Sequence, residues 1–339
     1  MFLNKIKSGG TGILTYGITP PKTGTSPTRT SEIARNTVAR LLPLDIDALI
    51  VYDVQDESAR TSVERPFPFM QAQDPFDFAS EHLQELKVPK IIYRPAGMFS
   101  KEELTGWLDG LHKHQFYPVF VGIPAPDHPV KTSLPEAYKI WSRHKESSVI
   151  GAVTIPERHE VLKDEDKRML DKMSCGVSYF ISQCVFNLAY AKQMIVDLER
   201  TCQATNSKMP TIIFTLTVCG SERTLSFMDW LGIHVPADLK EEFKNSPNML
   251  QRSVQVCLEI ASELSALCAG KSIPFGFNIE SVAIKNDEIE ASIFMVNRIA
   301  EILDKHGVRK LAVPVLTEKS RDVEEDVLAT SPDVYNKRK

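Results

Sequence analysis

Eight short runs of β-branched and aromatic residues recur along the chain and constrain its fold more than any other feature. They lie near 12–18 (GILTYGI), 47–54 (DALIVYDV), 90–94 (KIIYR), 117–123 (YPVFVGI), 148–155 (SVIGAVTI), 178–186 (SYFISQCVF), 210–218 (PTIIFTLTV) and 275–283 (FGFNIESVA). Each is mostly apolar throughout instead of alternating, the pattern of a parallel strand buried on both faces. Amphipathic segments separate them. Ser31 precedes EIARNTVARLL, Asp74-Pro75 opens FDFASEHLQEL, and Ser100 with Glu103 forms a capping box for KEELTGWLDGLHKH. Further helices are expected near 134–146, 161–175, 189–204, 222–231, 250–269 and 287–306. Eight strands alternating with at least eight helices predict a single-domain (βα)8 TIM barrel over 12–310, with an N-terminal extension (1–11) and a C-terminal tail (311–339). A doubly wound open sheet is the alternative, but no GxGxxG follows any strand, which argues against a Rossmann dinucleotide site.

Composition narrows the partners. The net charge of −4 offers no basic excess to neutralise phosphates, so neither nucleic acid nor an acidic membrane surface is expected. The basic NKRK at the end reads as a solvated tail. No run of 18 apolar residues predicts a membrane span, and MFLNKIKSGG has too short an apolar segment for a signal peptide. The six cysteines show no CxxC pair and no metal spacing, and most lie in apolar runs. They read as buried reduced thiols of a cytoplasmic protein.

In a barrel the chemistry sits at the carboxyl ends of the strands. In chain order these ends offer Thr19; Asp53 and Gln55; Tyr93 and Arg94; Glu157 and His159; Gln183 and Asn187; Thr215, Thr217 and Cys219; and Asn278 and Glu280. Gln183 stands out, because a glutamine inside YFISQCVF needs partners for its amide, either a ligand or a neighbouring strand. Asp53 reads either as a site acid or as the ion-pair partner of Arg94. Glu157 with His159 reads as an acid–base pair, a metal half-site or the cap of the next helix. Asp127 and His128 sit among prolines and read as turn residues. No donor spacing identifies a metal, and no Gly-x-Ser-x-Gly elbow is present. The long polar stretch QDESARTSVERPFPFMQAQ (55–73) after the second strand is a candidate lid.

Four landmarks then carry a family resemblance: Pro20-Pro21 after the first strand, GAVTIPERH (151–159), MLDKMSCGVSYFISQCVF (169–186) and LGIHVP (231–236). In this order, over about residues 12–305, the chain resembles the methylenetetrahydrofolate reductase family. That resemblance implies a barrel that binds FAD and a folate, and that reduces 5,10-methylenetetrahydrofolate to 5-methyltetrahydrofolate. It places Gln183 on the pterin ring, with Tyr16 and Glu280 on the substrate side. Tyr93, Lys172 and His159 fall on the cofactor side.

The chain also departs from the family. Where the family carries a glutamate on strand one, this sequence has Gly17. Strand three ends Tyr93-Arg94-Pro95 and strand four Val121-Gly122-Ile123, in place of the family's flavin-side histidine and aspartate. Opening the imidazolidine ring needs a proton on N10. The replacement acid is sought among Tyr16, Asp53, Glu157 and Glu280, with Asp53 and Glu157 ranked first. The hydride is expected from FAD or directly from NAD(P)H. The alternatives are a flavin-free folate-binding barrel in non-redox methyl transfer and a non-catalytic folate-binding homologue. The expected partner is a small-molecule folate, with a homo-oligomer as a possible assembly.

Overall fold

The computed structural model describes residues 2–123, 128–144 and 149–311. Its strands are β1 (Ile13–Ile18), β2 (Ala48–Val51), β3 (Lys90–Pro95), β4 (Tyr117–Val121), β5 (Gly151–Thr154), β6 (Tyr179–Cys184), β7 (Thr211–Thr217) and β8 (Phe275–Glu280). They pair in parallel in chain order, and β8 closes on β1, giving the (βα)8 barrel. The open-sheet alternative is excluded by that closure. Among the described residues the α-helices are α1 (Phe2–Ser8), α2 (Pro27–Leu41), α3 (Pro75–His82), α4 (Lys101–His114), α5 (Leu134–Arg143), α6 (Pro156–Leu162), α7 (Glu165–Ser174), α8 (Leu188–Ala204), α9 (Glu222–Trp230), α10 (Ala237–Asn245), α11 (Met249–Gly270) and α12 (Asn286–Lys305).

Local chemistry sets these boundaries. The expected Ser100–Glu103 capping box is formed, and a second joins Ser133 to Glu136 at the start of α5. Helix α2 begins earlier than expected, capped by Ser26 with Pro27 in its first turn, so Ser31 lies inside it. The segment expected as one helix over 161–175 is two. The first, α6, starts at Pro156 and stops where Lys163 turns left-handed at φ 51°. Helix α10 was not anticipated because its one fully buried side chain, Phe243, gives almost no apolar period. Asp127 and the NKRK tail lie outside the described residues.

Two apolar layers hold the barrel. One lies between sheet and helices. The other fills the barrel interior with Ile13, Ile50, Ile91, Val119, Tyr179 and Ile213 among others. The N-terminal extension contains α1, which plugs the bottom of the barrel. Phe2 is fully buried, with its ring 5.6 Å from Tyr117 and 5.3 Å from Tyr179. Gly151 belongs to the same packing, since a Cβ there would fall 2.5 Å from the Tyr179 ring. Towards the opposite mouth the interior turns polar. Thr15 donates to Asn278 Oδ1 at 3.1 Å, and Asn278 Nδ2 reaches Thr215 at 3.4 Å.

Candidate functional site at the barrel mouth

Strands β1 and β8 pair so that Gly17 lies opposite Glu280. A Cβ at Gly17 would fall 2.8 Å from Tyr52 Cε2 and 3.2 Å from Glu280 Oε2. The missing side chain is therefore space taken by Tyr52 and Glu280, and any larger residue would displace one of them. Asn278 Nδ2 donates to the Tyr52 hydroxyl at 2.9 Å and to Glu280 Oε2 at 3.4 Å, and Cys184 Sγ donates to Glu280 Oε1 at 3.3 Å. Tyr52 also hydrogen-bonds the carboxyl. Burial raises the Glu280 pKa, against hydrogen bonds from Tyr52, Cys184 and Asn278 that favour its ionised form. Burial and then the Glu280 charge push the Tyr52 phenol and the Cys184 thiol well up, so both stay protonated donors.

Cys184 faces Glu280 because of a β-bulge. The β6–β7 register shifts between Ile181 and Cys184, and the Ser182 hydroxyl accepts the Thr215 N–H at 2.9 Å in place of a ladder partner. The extra residue turns Cys184 inward and leaves Gln183 at the mouth. There its amide donates to the Leu231 carbonyl at 3.2 Å, fixing the turn that follows α9.

Glu157 stands on the first turn of α6, directly above β5. Neither carboxyl oxygen is exposed, and neither has a hydrogen-bond partner in another residue. Burial lifts its pKa to about 7, against a small pull from its own backbone N–H. Its charge also acts on Cys184. Two carboxyl groups thus stand at strand ends, Glu280 hydrogen-bonded at both oxygens by other residues and Glu157 by none.

The other expected site residues are placed elsewhere. Tyr16 points outward to α12, where its hydroxyl lies 2.7 Å from Ser292 Oγ, and burial raises its pKa to about 12. Asp53 also faces outward, paired with Arg94 at 3.2 Å and with the Gln55 amide at 2.5 Å. Arg94 in turn binds Asp74 and lies 4.7 Å from the Phe99 ring and 4.8 Å from Trp107. His159 is buried between helices, with Nε2 3.0 Å from Asp197 and Nδ1 3.8 Å from Asp166.

Lys172 is not a surface lysine. Its ammonium donates to the Val153 carbonyl at 2.7 Å, and burial lowers its pKa to about 8. Tyr93 packs inside the barrel, its ring 4.8 Å from that of Tyr52. Its phenol is pushed up by burial and then by the Glu280 charge. Two of the three residues expected around FAD, Lys172 and His159, are thus engaged by the protein itself. Lys172 is committed to a backbone carbonyl and His159 Nε2 to Asp197 between helices, so neither fits a place at a flavin ring or diphosphate.

The expected lid, 55–73, forms most of a strap between β2 and α3 over 52–74. At its far end Ala72 bridges Lys22, Thr23 N–H donates to the Gln71 carbonyl at 2.9 Å, and Gln73 N–H donates to the Pro21 carbonyl at 2.8 Å. Its middle reaches α9, where Phe67 packs on Phe227 with ring centres 5.3 Å apart. In the closed strand order β1 and β8 stand between β2 and β7. A segment that leaves β2 and touches the helix after β7 therefore spans the mouth on the side of Gly17 and Glu280.

No family model matches the chain, and no curated protein does either. Among solved structures, an uncharacterized protein from Clostridium thermocellum that binds two copies of 5-methyl-5,6,7,8-tetrahydrofolic acid is 39% identical, with a TM-score of 0.77. The match covers 88% of this chain and 99% of that one. A 2,3-dimethylmalate lyase of the PEP mutase/isocitrate lyase superfamily matches at 11% identity and a TM-score of 0.45, over 96% of this chain and 97% of its own. The present chain belongs to the family of the clostridial protein.

Proposed function

We propose that the chain binds a reduced folate at the barrel mouth and acts on its one-carbon unit. The reaction is that of a methylenetetrahydrofolate reductase-like oxidoreductase, with hydride from a dissociable NAD(P)H. The ligand carried by the clostridial relative supports the substrate class. The observation that carries the reading is Glu157, a carboxyl at the end of β5 whose two oxygens are buried with no partner in another residue, with Glu280 at the end of β8.

The two carboxyls have separate tasks. Glu280 is locked by Tyr52, Asn278 and Cys184 and presents a fixed carboxyl to the N–H donors of a pterin, while the Gln183 amide stands at the same mouth. Glu157 has no fixed partner, and with a pKa of about 7 it carries a proton in about half of the molecules near neutrality. It delivers that proton to N10 as the C–N10 bond breaks with its electron pair going to nitrogen. The nicotinamide supplies hydride to the methylene carbon, giving the 5-methyl product and NAD(P)+.

A non-redox barrel that binds a methylfolate is the second reading. It is favoured by the engagement of Lys172 and His159 within the protein. An anaerobic assay of NADH or NADPH oxidation with 5,10-methylenetetrahydrofolate separates the two. The expected outcome is turnover to the 5-methyl product, with Glu157→Gln lowering kcat about 100- to 10,000-fold while 5-methyltetrahydrofolate binding persists. Binding without turnover on NADH, NADPH or reduced FAD would support the second reading. Absence of any folate binding would remove both.

A further inference from the structure

The strap that crosses the mouth carries Arg65, and α9, against which it packs, carries Arg223. Among the described residues neither Arg65 nor Arg223 has a carboxylate at salt-bridge distance, and the Asp56 and Glu57 charges act on Arg65 only from further along the strap. Arg65 is half-buried. Its guanidinium lies 4.8 Å from the Trp230 ring, 5.1 Å from Phe227 and 5.5 Å from Phe69. Of its nitrogens only Nη1 is hydrogen-bonded, to the Phe67 carbonyl at 2.9 Å, and Nε is buried with no acceptor. Arg223 lies 4.2 Å from the Phe67 ring and donates once, to the Pro66 carbonyl at 2.8 Å.

Cation–π contacts alone account for holding the strap against α9. They do not account for a partly desolvated guanidinium with an unmet N–H, which is the donor set a carboxylate takes up in a fork. The mouth thus holds the hydrogen-bonding groups around Glu280, and the strap over it brings the Phe67 and Phe227 rings and the two cations together. A folate carries the three complementary parts: a pterin, an aminobenzoyl ring and a glutamate. We infer that Arg65 and Arg223 take the glutamate carboxylates of the folate, with the packed Phe67–Phe227 pair lying beside its aminobenzoyl ring. The strap is then the part of the site that distinguishes a folate from a bare pterin. This inference rests on the folate reading above.

Calorimetric titration of the full chain tests it, using 5-methyltetrahydrofolate and 5,6-dimethyltetrahydropterin, which lacks the aminobenzoylglutamate. The wild type is expected to bind the folate more tightly than the pterin. The double variant Arg65→Ala/Arg223→Ala should lose about 10- to 100-fold in folate affinity and keep its pterin affinity within about twofold. Lysines at both positions should restore part of the loss. The exposed Arg223→Ala single variant should show a smaller loss of the same kind, and it keeps the test standing where the double variant unfolds the strap. Equal losses for both ligands, or no loss for the folate, would overturn the assignment while leaving folate binding intact. A wild type that binds neither ligand would overturn the folate reading and this one together.

Discussion

Glu157 is a carboxyl that the folded protein keeps from water without supplying a partner. Its native pKa of about 7 lies above its ordinary value of 4.5, so between these values the folded chain holds a proton that the unfolded chain releases. The sign follows: stability falls as pH rises through that window and is level above it. Urea unfolding of Glu157→Gln against wild type at pH 4.5, 5.5, 6.5 and 8 should show the difference moving steadily in favour of the variant up to about pH 7. Parallel profiles would mean that the carboxyl is solvated. The sequence reading set Glu157 beside His159 as one possible acid–base pair. Both lie on α6, and residues two apart on a helix point to nearly opposite sides. His159 accordingly turns towards Asp197, away from the side that Glu157 takes.

The strands were readable as strands because their apolar runs are short, β-branched and bounded. Which residues face inward was not readable, because a strand buried on both faces shows no alternation. Tyr16 and Asp53 each sit one position away from the inward set of their strand, Thr15 and Gly17 on β1 and Ile50 and Tyr52 following β2. Both therefore fall in the layer beneath the helices. The β6 bulge was equally hidden, since nothing in FISQCVF marks one residue as extra. Its anchor is the Ser182 hydroxyl accepting the buried Thr215 N–H. Ser182→Ala removes the only acceptor shown for that N–H and should cost about 1–3 kcal/mol in urea unfolding. It should also weaken folate binding, because Cys184 then loses its direction towards Glu280. A loss of stability with unchanged affinity would show that the bulge serves the sheet and not the site.

At the end opposite the mouth, the barrel is closed by groups from distant parts of the chain that meet at one carboxylate. Asp47 Oδ2 accepts from Lys5 on α1 at 3.0 Å, from the Leu14 N–H on β1 at 2.9 Å and from Arg309 beyond α12 at 2.6 Å. Arg309 also donates to the Gly12 carbonyl at 2.9 Å. This junction ties the α1 plug and the last described turn of the chain to the β1–β2 edge. Burial alone would raise the Asp47 pKa, but the Arg309 and Lys5 charges and their hydrogen bonds outweigh it and hold the carboxyl below its ordinary range. The sign is opposite to that of Glu157: the stabilisation is full at neutral pH and is lost as pH falls below about 4 through the depressed native value. Asp47→Asn leaves the buried Arg309 without this partner and should cost about 3–5 kcal/mol at pH 7. The cost should shrink as the wild type itself is acidified. Because the junction lies at the other end of the barrel from Glu280, folate affinity of the folded variant should stay within about twofold of wild type. Unfolding curves for both proteins at pH 3 and pH 7 check the first point, and a titration at neutral pH checks the second. A stability difference that does not change with pH would mean that Asp47 acts through its shape and hydrogen bonds, with its charge contributing nothing to closing the barrel.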